Sequence, residues 1–393
     1  MIQRDKGFYD LIAFGLGNGS FQEFVDYFFT NKYNAPQTDG FQWDSQIQID
    51  FTYEQLQTEL GIATLPTYVD IDSPAPYKVQ DGATIGKNKI PRFKHGFAIN
   101  EKIIREQMIL VQRMGQAALT PATQKAMNSL LFDSVDMLLA GNRNALTYQR
   151  MQVVSTGQYS ITTDNNPGGI SGLTFDFGIP TKNKEVLTGN DLWWTTSTHT
   201  TANEGTASDP IKFLKDKRKA MTKSGFPAGH FEISSNLWDD MLSHSKVRER
   251  AGYQLQPLAG TSALAMQVGY NLDDTQMRAV IERLIGAPIM VRDTMAMVEK
   301  LDKTTKQVKK VSIPGFDECN ISFVPNGQIG TIKAVEPLVV PDPAARLAWY
   351  DGGRTIIKQT FNTDTNTQYI SSECTALAVP SAANYMCIYT VTK

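Results

Sequence analysis

The sequence predicts an α+β protein, and three observations carry this prediction. A helical pattern begins at Pro121 and continues to about residue 154, which is longer than most helices of globular proteins. Helix and strand signals alternate over residues 209–325. The chain then closes with a final segment of β character in residues 336–393. Helices and strands therefore share one chain without the regular repeat of a parallel α/β fold.

The composition is that of a folded globular chain. Of the 393 residues, 41% are hydrophobic and 20% are charged, which leaves room for about two or three lobes with their own cores. The 38 Lys and Arg residues nearly cancel the 40 Asp and Glu residues, giving a net charge of -2. A global electrostatic field for gripping nucleic acid is therefore excluded, and any contact with DNA must be local.

Cysteines and apolar runs indicate the compartment. Cys319, Cys374 and Cys387 are far apart and form no CxxC pair, so neither a disulfide framework nor a thiolate metal site is expected. No run approaches the roughly 18 apolar residues that cross a bilayer, and no apolar signal core follows the first residues. We expect no membrane partner and no cofactor, and a protein made and used in a cytoplasm.

Residues 1–55 are rich in aromatic side chains but show no sustained period. Such a segment cannot easily bury its own apolar surface. It predicts either a strap on the chain's own core or an N-terminal arm laid across a neighbouring subunit, and composition favours neither. The candidate contacts with a neighbour are Phe21, Phe24 and Phe28.

Residues 56–100 are predicted to form an extended loop. Four prolines and the Asp81-Gly82 turn favour a hairpin-like excursion over a compact unit. The far strand alternates basic and apolar residues, so its basic side chains either line a solvated face or meet acidic groups on another chain. These side chains are Lys87, Lys89, Arg92 and Lys94.

Residues 101–208 are predicted to contain a long helix, the spine helix, and a loop-rich peripheral insertion over 163–209. Thr120 can cap the helix, Pro121 suits its first position, and Gly141 is one weak point within it. At about 1.5 Å per residue the helix would span roughly 50 Å, so it needs a surface along which to lie.

Residues 209–335 predict an α+β lobe. Helices are expected from Pro210 to about residue 222, over 236–243, and from Asp274 to a stop at Gly286. Strands are expected at residues 230–234, 288–291 and 321–324, together with a hairpin from Met297 to Ile313.

One local cluster of positive charge lies on the first of these helices. Asp216 is the single acidic residue among these basic ones. The cluster is either a solvated helix face or a strip that binds phosphate groups of DNA. Its members are Lys212, Lys215, Lys217, Arg218, Lys219 and Lys223.

No motif for catalysis is coherent, so we predict that the protein is not an enzyme. The stretch GATIGKN at Gly82 is one residue short between the glycines of a phosphate loop, and Asn88 replaces the magnesium-binding Ser or Thr. The four histidines show no HExxH spacing, and no serine stands in a GxSxG elbow. A Ser-His-Asp grouping assembled in space, and with it an unrecognised hydrolase, stays open as an alternative.

Several runs, in order, resemble a known family. They are RNALTYQRMQVVSTGQYSI from Arg143, FDFG from Phe175, Trp193-Trp194, DPIKFLKDKRKAM from Asp209, SGFPAGHFEISSNLWDDML from Ser224 and FVPNGQIGTIKAVEP from Phe323. They resemble the lambda-like major capsid proteins of tailed bacteriophages, which have the Hong Kong 97-like capsid fold. That fold combines an N-arm, an extended loop, a peripheral domain with a long spine helix, and an axial domain.

The resemblance implies a division into an N-terminal arm (1–55), extended loop (56–100), peripheral domain (101–208), axial domain (209–335) and a C-terminal return to the peripheral domain (336–393). It also implies a structural protein of the virion that assembles with itself as hexamers and pentamers into an icosahedral shell around double-stranded DNA, in the cytoplasm of a host bacterium. The implied partners are a scaffolding protein, a portal and a decoration protein. An encapsulin-like nanocompartment shell is the alternative with the same fold.

Overall fold

A computed structural model describes most of the chain beyond residue 38. The described residues are Gln22, Lys102, 39–58, 83–99, 121–167, 169–255, 261–301, 307–339, 345–362 and 367–393. Phe21, Phe24 and Phe28 lie outside the described residues. For Lys87 the structure describes the backbone alone.

The chain divides into two compact units. Unit 1 comprises Met1–Tyr53, Lys89–Leu146 and Ile332–Leu377. Unit 2 comprises Glu54–Asn88, Thr147–Thr331 and Ala378–Lys393.

Helices and strands alternate as the sequence predicts. The helices of the described residues are α1 (Pro121–Thr156), α2 (Pro210–Lys223), α3 (Ser235–Ser243), α4 (Ser245–Leu255), α5 (Ser262–Tyr270) and α6 (Asp274–Ile285). The strands before α2 are β1 (Phe41–Trp43), β2 (Thr52–Thr58), β3 (Ala83–Lys89), β4 (Arg92–Ile99), β5 (Gln158–Ile161), β6 (Leu173–Asp176) and β7 (Lys184–Val186). The later strands are β8 (Gly229–Ser234), β9 (Ile289–Arg292), β10 (Met295–Leu301), β11 (Val308–Pro314), β12 (Asn320–Pro325), β13 (Gly330–Val335), β14 (Arg346–Tyr350), β15 (Thr355–Asn362), β16 (Thr367–Pro380) and β17 (Cys387–Thr390).

Helix α1 is the predicted spine helix. Its 36 residues span about 54 Å at 1.5 Å per residue. It ends at Thr156 because Gly157 adopts a positive φ of 76°. Within unit 1, Asn142 of α1 donates to Ser372 Oγ at 2.6 Å and to the Tyr350 hydroxyl, so the helix is fixed to strands of its own unit.

The shorter helices begin and end at local signals. Asp209 caps α2 by accepting from the Lys212 backbone amide, and Pro210 occupies the first position of that helix. Asp273 and Gln276 form a reciprocal capping box at α6. Gly286 then ends α6 in the left-handed conformation, as its sequence predicts.

Helices α4 and α5 are the pair that the sequence did not single out. They pack closely because glycines lie where their backbones approach. A Cβ atom at Gly252 would lie 1.7 Å from the Ala265 carbonyl oxygen, and one at Gly269 would lie 2.3 Å from the Arg248 carbonyl oxygen. Neither position tolerates a side chain.

Unit 2 is built on a five-stranded sheet in the order β7-β17-β12-β8-β9. The pairs β17–β7 and β8–β9 are parallel, whereas β12 pairs antiparallel with both β17 and β8. The core contains apolar side chains of these strands and of the helices, including Phe231, Ile233, Ile321, Phe323, Leu214, Met241, Met277 and Ile281.

The stretch 163–209, expected as a peripheral insertion, contributes to this core. It provides the edge strand β7, and Trp193 and Trp194 are almost fully buried in the same cluster. The sequence shows the turn residues of this stretch but not the burial of its two tryptophans, which depends on tertiary packing.

The second large sheet has the order β1-β13-β16-β15-β14, with β4 also paired to β16. Buried apolar side chains of unit 1 come from this sheet and from the helix, among them Ile356, Ile357, Ile370, Val135, Leu138 and Leu139. Two-stranded sheets are formed by β2–β3, β5–β6 and β10–β11. No helix within the described part of the chain is long and apolar enough to cross a membrane.

Candidate assembly and nucleic-acid surfaces

Strand β4 presents a row of basic side chains in unit 1. Arg92 and Lys94 are exposed, whereas Phe93, His95 and Phe97 are half-buried, which is the predicted alternation. Both basic groups meet Glu373 on the neighbouring strand β16, Lys94 through a 2.7 Å contact between Nζ and Oε2 and Arg92 through an ion pair.

The charges around Glu373 do not balance. Partial burial lowers the pKa of Lys94, and the positive charges of Arg92 and Lys358 lower it further. Arg92 and Lys94 therefore share one carboxylate, and Lys358 adds a third positive charge close to Lys94. Lys89, at the end of β3, is also exposed. The face keeps an excess of positive charge that an acidic surface would neutralise.

His95 of β4 lies against α1 within unit 1. Burial lowers the pKa of His95, although the backbone of Leu138 and Met137 acts in the opposite direction. A Cβ atom at Gly141 would lie 2.7 Å from His95 Nε2. Gly141, the weak point expected in the spine helix, therefore provides the space in which β4 approaches the helix.

The basic cluster on α2 is divided between two faces of the helix. Lys212, Lys215, Lys219 and Lys223 are exposed and recur at three- and four-residue spacing, so they form one row. Arg218 is also exposed, and its guanidinium lies beside Gly286 at the end of α6.

Lys217 lies outside this row. Its ammonium forms an ion pair with Glu185 and lies 5.2 Å from the ring centroid of Phe213 and 5.7 Å from that of Tyr389. Sequence reasoning included Lys217 in the cluster because its spacing along the chain gives no sign of the carboxylate on β7.

A buried ionic cluster joins the end of α1 to the sheet of unit 2. The carboxylate of Glu232 accepts two hydrogen bonds from Arg150 (2.7 and 2.8 Å) and two from Arg292 (2.8 and 2.9 Å). Burial would raise the pKa of Glu232, but His230, Arg150 and Arg292 together hold it well below its ordinary value. This carboxylate is fully engaged as an anion and is unsuited to proton transfer.

One grouping in unit 2 has the residue types of a hydrolytic triad. His244 Nε2 lies 2.9 Å from Ser208 Oγ, and Glu204 lies 3.9 Å from His244 Nδ1. The backbone amide of Lys246 donates to Nδ1 at 3.2 Å, which places the ring proton on Nε2, facing the hydroxyl. A general base needs the opposite arrangement, and Ser208 and His244 are both buried.

A second grouping fixes the C-terminal residues. His199 Nδ1 lies 2.5 Å from Asp240 Oδ2, and its Nε2 lies 2.9 Å from Thr392 Oγ1. Trp194 stacks on the imidazole with 4.7 Å between ring centroids. Because Thr392 is 2% exposed, its hydroxyl has no access for a substrate. The described residues also contain no group of three His, Cys, Asp or Glu side chains that could hold a metal ion.

The sequence matches a known protein family over more than half of its length. The family model described as phage major capsid protein E matches residues 36–279, which is more than half of the chain. The chain belongs to the phage major capsid protein E family. No curated protein matches it.

Solved structures of phage proteins are also similar to this capsid protein. One is the capsid asymmetric unit of cyanophage A-1(L), with 11% identity and a TM-score of 0.44, covering 88% of this chain and 89% of the other. Another is a phage-related protein from Bordetella bronchiseptica RB50, with 10% identity and a TM-score of 0.42, again covering 88% and 89%. The assignment rests on the family model, not on these likenesses.

Membership confirms the main predictions from the sequence. The protein is a structural component of a phage capsid, part of the virion, and assembles with copies of itself into a shell. The α+β class that the sequence predicts is confirmed. The encapsulin-like alternative is not better supported.

Sequence reasoning missed two features of these surfaces. Glu373, the partner of Arg92 and Lys94, carries no local signal because it follows them by more than half the chain. The other is the exposed face of the β10–β11 hairpin, whose signal was the alternation of apolar residues at Met295, Met297 and Leu301.

Proposed function

We propose that this capsid protein forms hexamers and pentamers that build an icosahedral shell around double-stranded phage DNA. The observation that carries the proposal beyond the family is the unbalanced charge at the base of the extended loop, where Arg92 and Lys94 share Glu373 and Lys358 acts on Lys94 from nearby. An acidic surface of an adjacent subunit would neutralise this face. Assembly takes place in the host bacterial cytoplasm with a scaffolding protein, a portal and a decoration protein.

The proposed structural roles are assigned to consecutive segments of the chain. Residues 1–55 act as an arm that is attached to its own chain by the pairing of β1 with β13, and residues 56–100 act as an extended loop. Both segments reach neighbouring subunits. Residues 101–208 form the peripheral domain, 209–335 the axial domain, and 336–393 return to the peripheral domain. Phe21, Phe24 and Phe28 supply apolar contacts of the arm, while Lys87 and Lys89 join Arg92 and Lys94 as basic contacts of the loop.

The row on α2 is the proposed contact with packaged DNA. Lys212, Lys215 and Lys219 are exposed on one face of the helix, and Arg218 lies beside them. Such side chains neutralise phosphates without reading sequence, as a shell protein requires. Lys217 has a smaller role in this contact because Glu185 engages its charge.

Light scattering and electron microscopy of the purified protein test the proposal. We expect hexamers, pentamers or megadalton shells, and particles from infected cells that contain DNA. A protein that stays monomeric under all conditions of assembly would contradict the proposal. Particles that enclose an enzyme in place of DNA would favour a nanocompartment.

A further inference from the structure

The β10–β11 hairpin of unit 2 has two faces of different character. Its register pairs Met295 with Pro314, Met297 with Ser312, Glu299 with Lys310 and Leu301 with Val308. All eight of these residues are exposed. Because alternate residues of a strand point to opposite sides, the eight side chains share one face. We name this set the outer face of the hairpin.

The opposite face is attached to the rest of unit 2. Ala296, Val298 and Ile313 on that side are half-buried, and Lys300 contacts Asp164 at 2.8 Å. The base of the hairpin is closed by a 2.8 Å hydrogen bond from the Gly315 amide to the Thr294 carbonyl. The hairpin is therefore held in place, and its outer face is presented in a fixed direction.

The outer face is too apolar for a permanent solvent surface. Met297, Leu301 and Val308 are 60–62% exposed, and Met295 is 50% exposed. Single exposed apolar residues are ordinary, but these four form two apolar groups on one face, Met295 with Met297 and Leu301 with Val308, on either side of the Glu299–Lys310 pair. A two-stranded sheet buries too little surface to be stable by itself, so packing against its outer face would stabilise it further.

The arrangement of this face is complementary to itself. Consider two copies packed face to face about a two-fold axis parallel to the strands. Each residue of β10 then faces the β11 residue that is its own register partner, but in the other copy. Glu299 faces Lys310, Leu301 faces Val308, and Met295 faces Pro314. Charges of opposite sign meet in the middle, between apolar contacts on both sides.

We propose that the outer face of the β10–β11 hairpin packs against the same face of a second copy of this chain. The inference rests on the assembly of the protein into shells and names one contact within it. Facing sheets pack about 10 Å apart, so the opposed side chains interdigitate between the two hairpins. The occupant is another copy because the charge pattern of the face matches itself and the chain assembles with itself.

The size of the face determines how the contact acts. Seven residues at about 3.3 Å each and two strands about 5 Å apart give a face of only a few hundred Å². A stable isolated dimer needs roughly 800 Å² per partner. The hairpin contact therefore adds to larger interfaces in the shell and does not produce a dimer by itself.

Charge reversal tests the proposal. Glu299→Lys gives a hairpin with two central positive charges, and Lys310→Glu gives one with two negative charges. Each variant alone brings like charges together between copies, so we expect at least about tenfold less protein in shells. An equimolar mixture of the two variants should recover assembly, because every face then meets one of opposite charge.

The mixture separates contacts between copies from contacts within one chain. Within each single variant the opposed residues 299 and 310 have like charges, so a purely internal pair would stay broken in the mixture. The matched control is the double variant Glu299→Lys/Lys310→Glu, which restores both kinds of pair and should assemble normally. Circular dichroism of the unassembled variants checks that each one folds.

The outcomes are distinct from those of the proposed function. If the wild-type protein forms no shells, the assembly proposal itself fails. If the wild-type protein forms shells and both single variants do so equally well, the outer face is open or covered by another molecule, and the inference is overturned. Failure of the mixture while the double variant assembles would also overturn it, because the pair would then act within one chain.

Discussion

His95 Nε2 lies 2.7 Å from the position that a Cβ atom would occupy at Gly141, so strand β4 and the spine helix touch where the helix has no side chain. Glycine in a helix interior ordinarily costs about 1 kcal/mol relative to alanine. At this position the glycine provides space for the half-buried imidazole of His95. Local helix propensity and tertiary packing therefore oppose each other at residue 141.

We predict that Gly141→Ala lowers the free energy of unfolding by about 1–2 kcal/mol, although it improves helix propensity. The new methyl group must displace the half-buried His95 ring. Chemical unfolding measures the effect. In the background His95→Ser the same substitution should become neutral or stabilising, and a stabilising Gly141→Ala in the wild-type background would contradict the close contact.

A substitution in the buried ionic cluster should lower the free energy of unfolding by more than Gly141→Ala does. Glu232→Gln leaves Arg150 and Arg292 without their shared anion, so we expect a loss of roughly 3–5 kcal/mol in the free energy of unfolding. Glu185→Gln is the matched control, because it removes the partly exposed partner of Lys217 and should cost less than about 1 kcal/mol.

The same cluster predicts a dependence on acid. The pKa of Glu232 is lower in the folded protein than in the unfolded chain, so its contribution is present above the unfolded value and is lost as pH falls below it. Unfolding curves below about pH 4.5 should therefore show a smaller difference between the wild-type protein and Glu232→Gln. An equal difference at all pH values would show that the carboxylate is not the source of the effect.

The pKa of Asp351 is shifted in the opposite direction from that of Glu232, so its effect on stability depends on pH in the opposite way. Asp351 follows β14 with a φ of 52°, and burial raises its pKa from 3.8 to about 6, although the charges of Arg143 and Arg354 act against this. Between these values the folded state holds more protons than the unfolded chain, so stability falls as pH rises through this window.

We therefore predict that Asp351→Asn stabilises the protein at pH 7 by about 2 kcal/mol and has little effect near pH 4. Asparagine has no charge to desolvate and tolerates the left-handed backbone. Asp351→Ala is the control: it also removes the charge but gains less, because alanine is strained at this φ. Unfolding midpoints at the two pH values check the prediction, which is wrong if the gain does not depend on pH.

Features set by neighbours in the sequence could be predicted, and those set across the fold could not. The start of α2 follows from Asp209-Pro210, and the bounds of α6 follow from Asp273 and Gly286, because caps act within one turn. The alternation along β4 could also be predicted, because successive side chains of a strand point to opposite faces. Arg150 and Glu232 are 82 positions apart, and nothing near either residue indicates the other.

The candidate site shows the same limit. The basic residues of the extended loop and of α2 could be selected by charge and spacing alone. Which of them is engaged within the chain depends on Glu373 and Glu185, whose positions are fixed only by the pairing of β16 with β4 and by the place of β7 in the sheet. Packing of α4 on α5 through Gly252 and Gly269 is likewise a tertiary property.

The row on α2 predicts a change in DNA retention. Replacing Lys212, Lys215 and Lys219 by glutamine should let DNA leave filled particles at a lower salt concentration, because fewer phosphates are neutralised. Release of DNA across a salt series measures this. Lys217→Gln, on the same helix but paired with Glu185, should behave like the wild-type protein. Equal retention in all three proteins would remove α2 from the DNA contact.

The N-terminal arm gives the last prediction. A variant without residues 1–35 keeps the segments that form α1–α6 and both large sheets, so we expect a circular dichroism spectrum close to that of the wild-type protein. Stable shells should be lost, because the apolar contacts of the arm with neighbouring subunits are removed. Replacing Phe21, Phe24 and Phe28 by alanine is the matched variant that keeps the length of the chain and should weaken assembly in the same direction. Sedimentation and electron microscopy distinguish shells from small oligomers. Normal shells from the truncated protein would show that the arm is a strap on its own subunit.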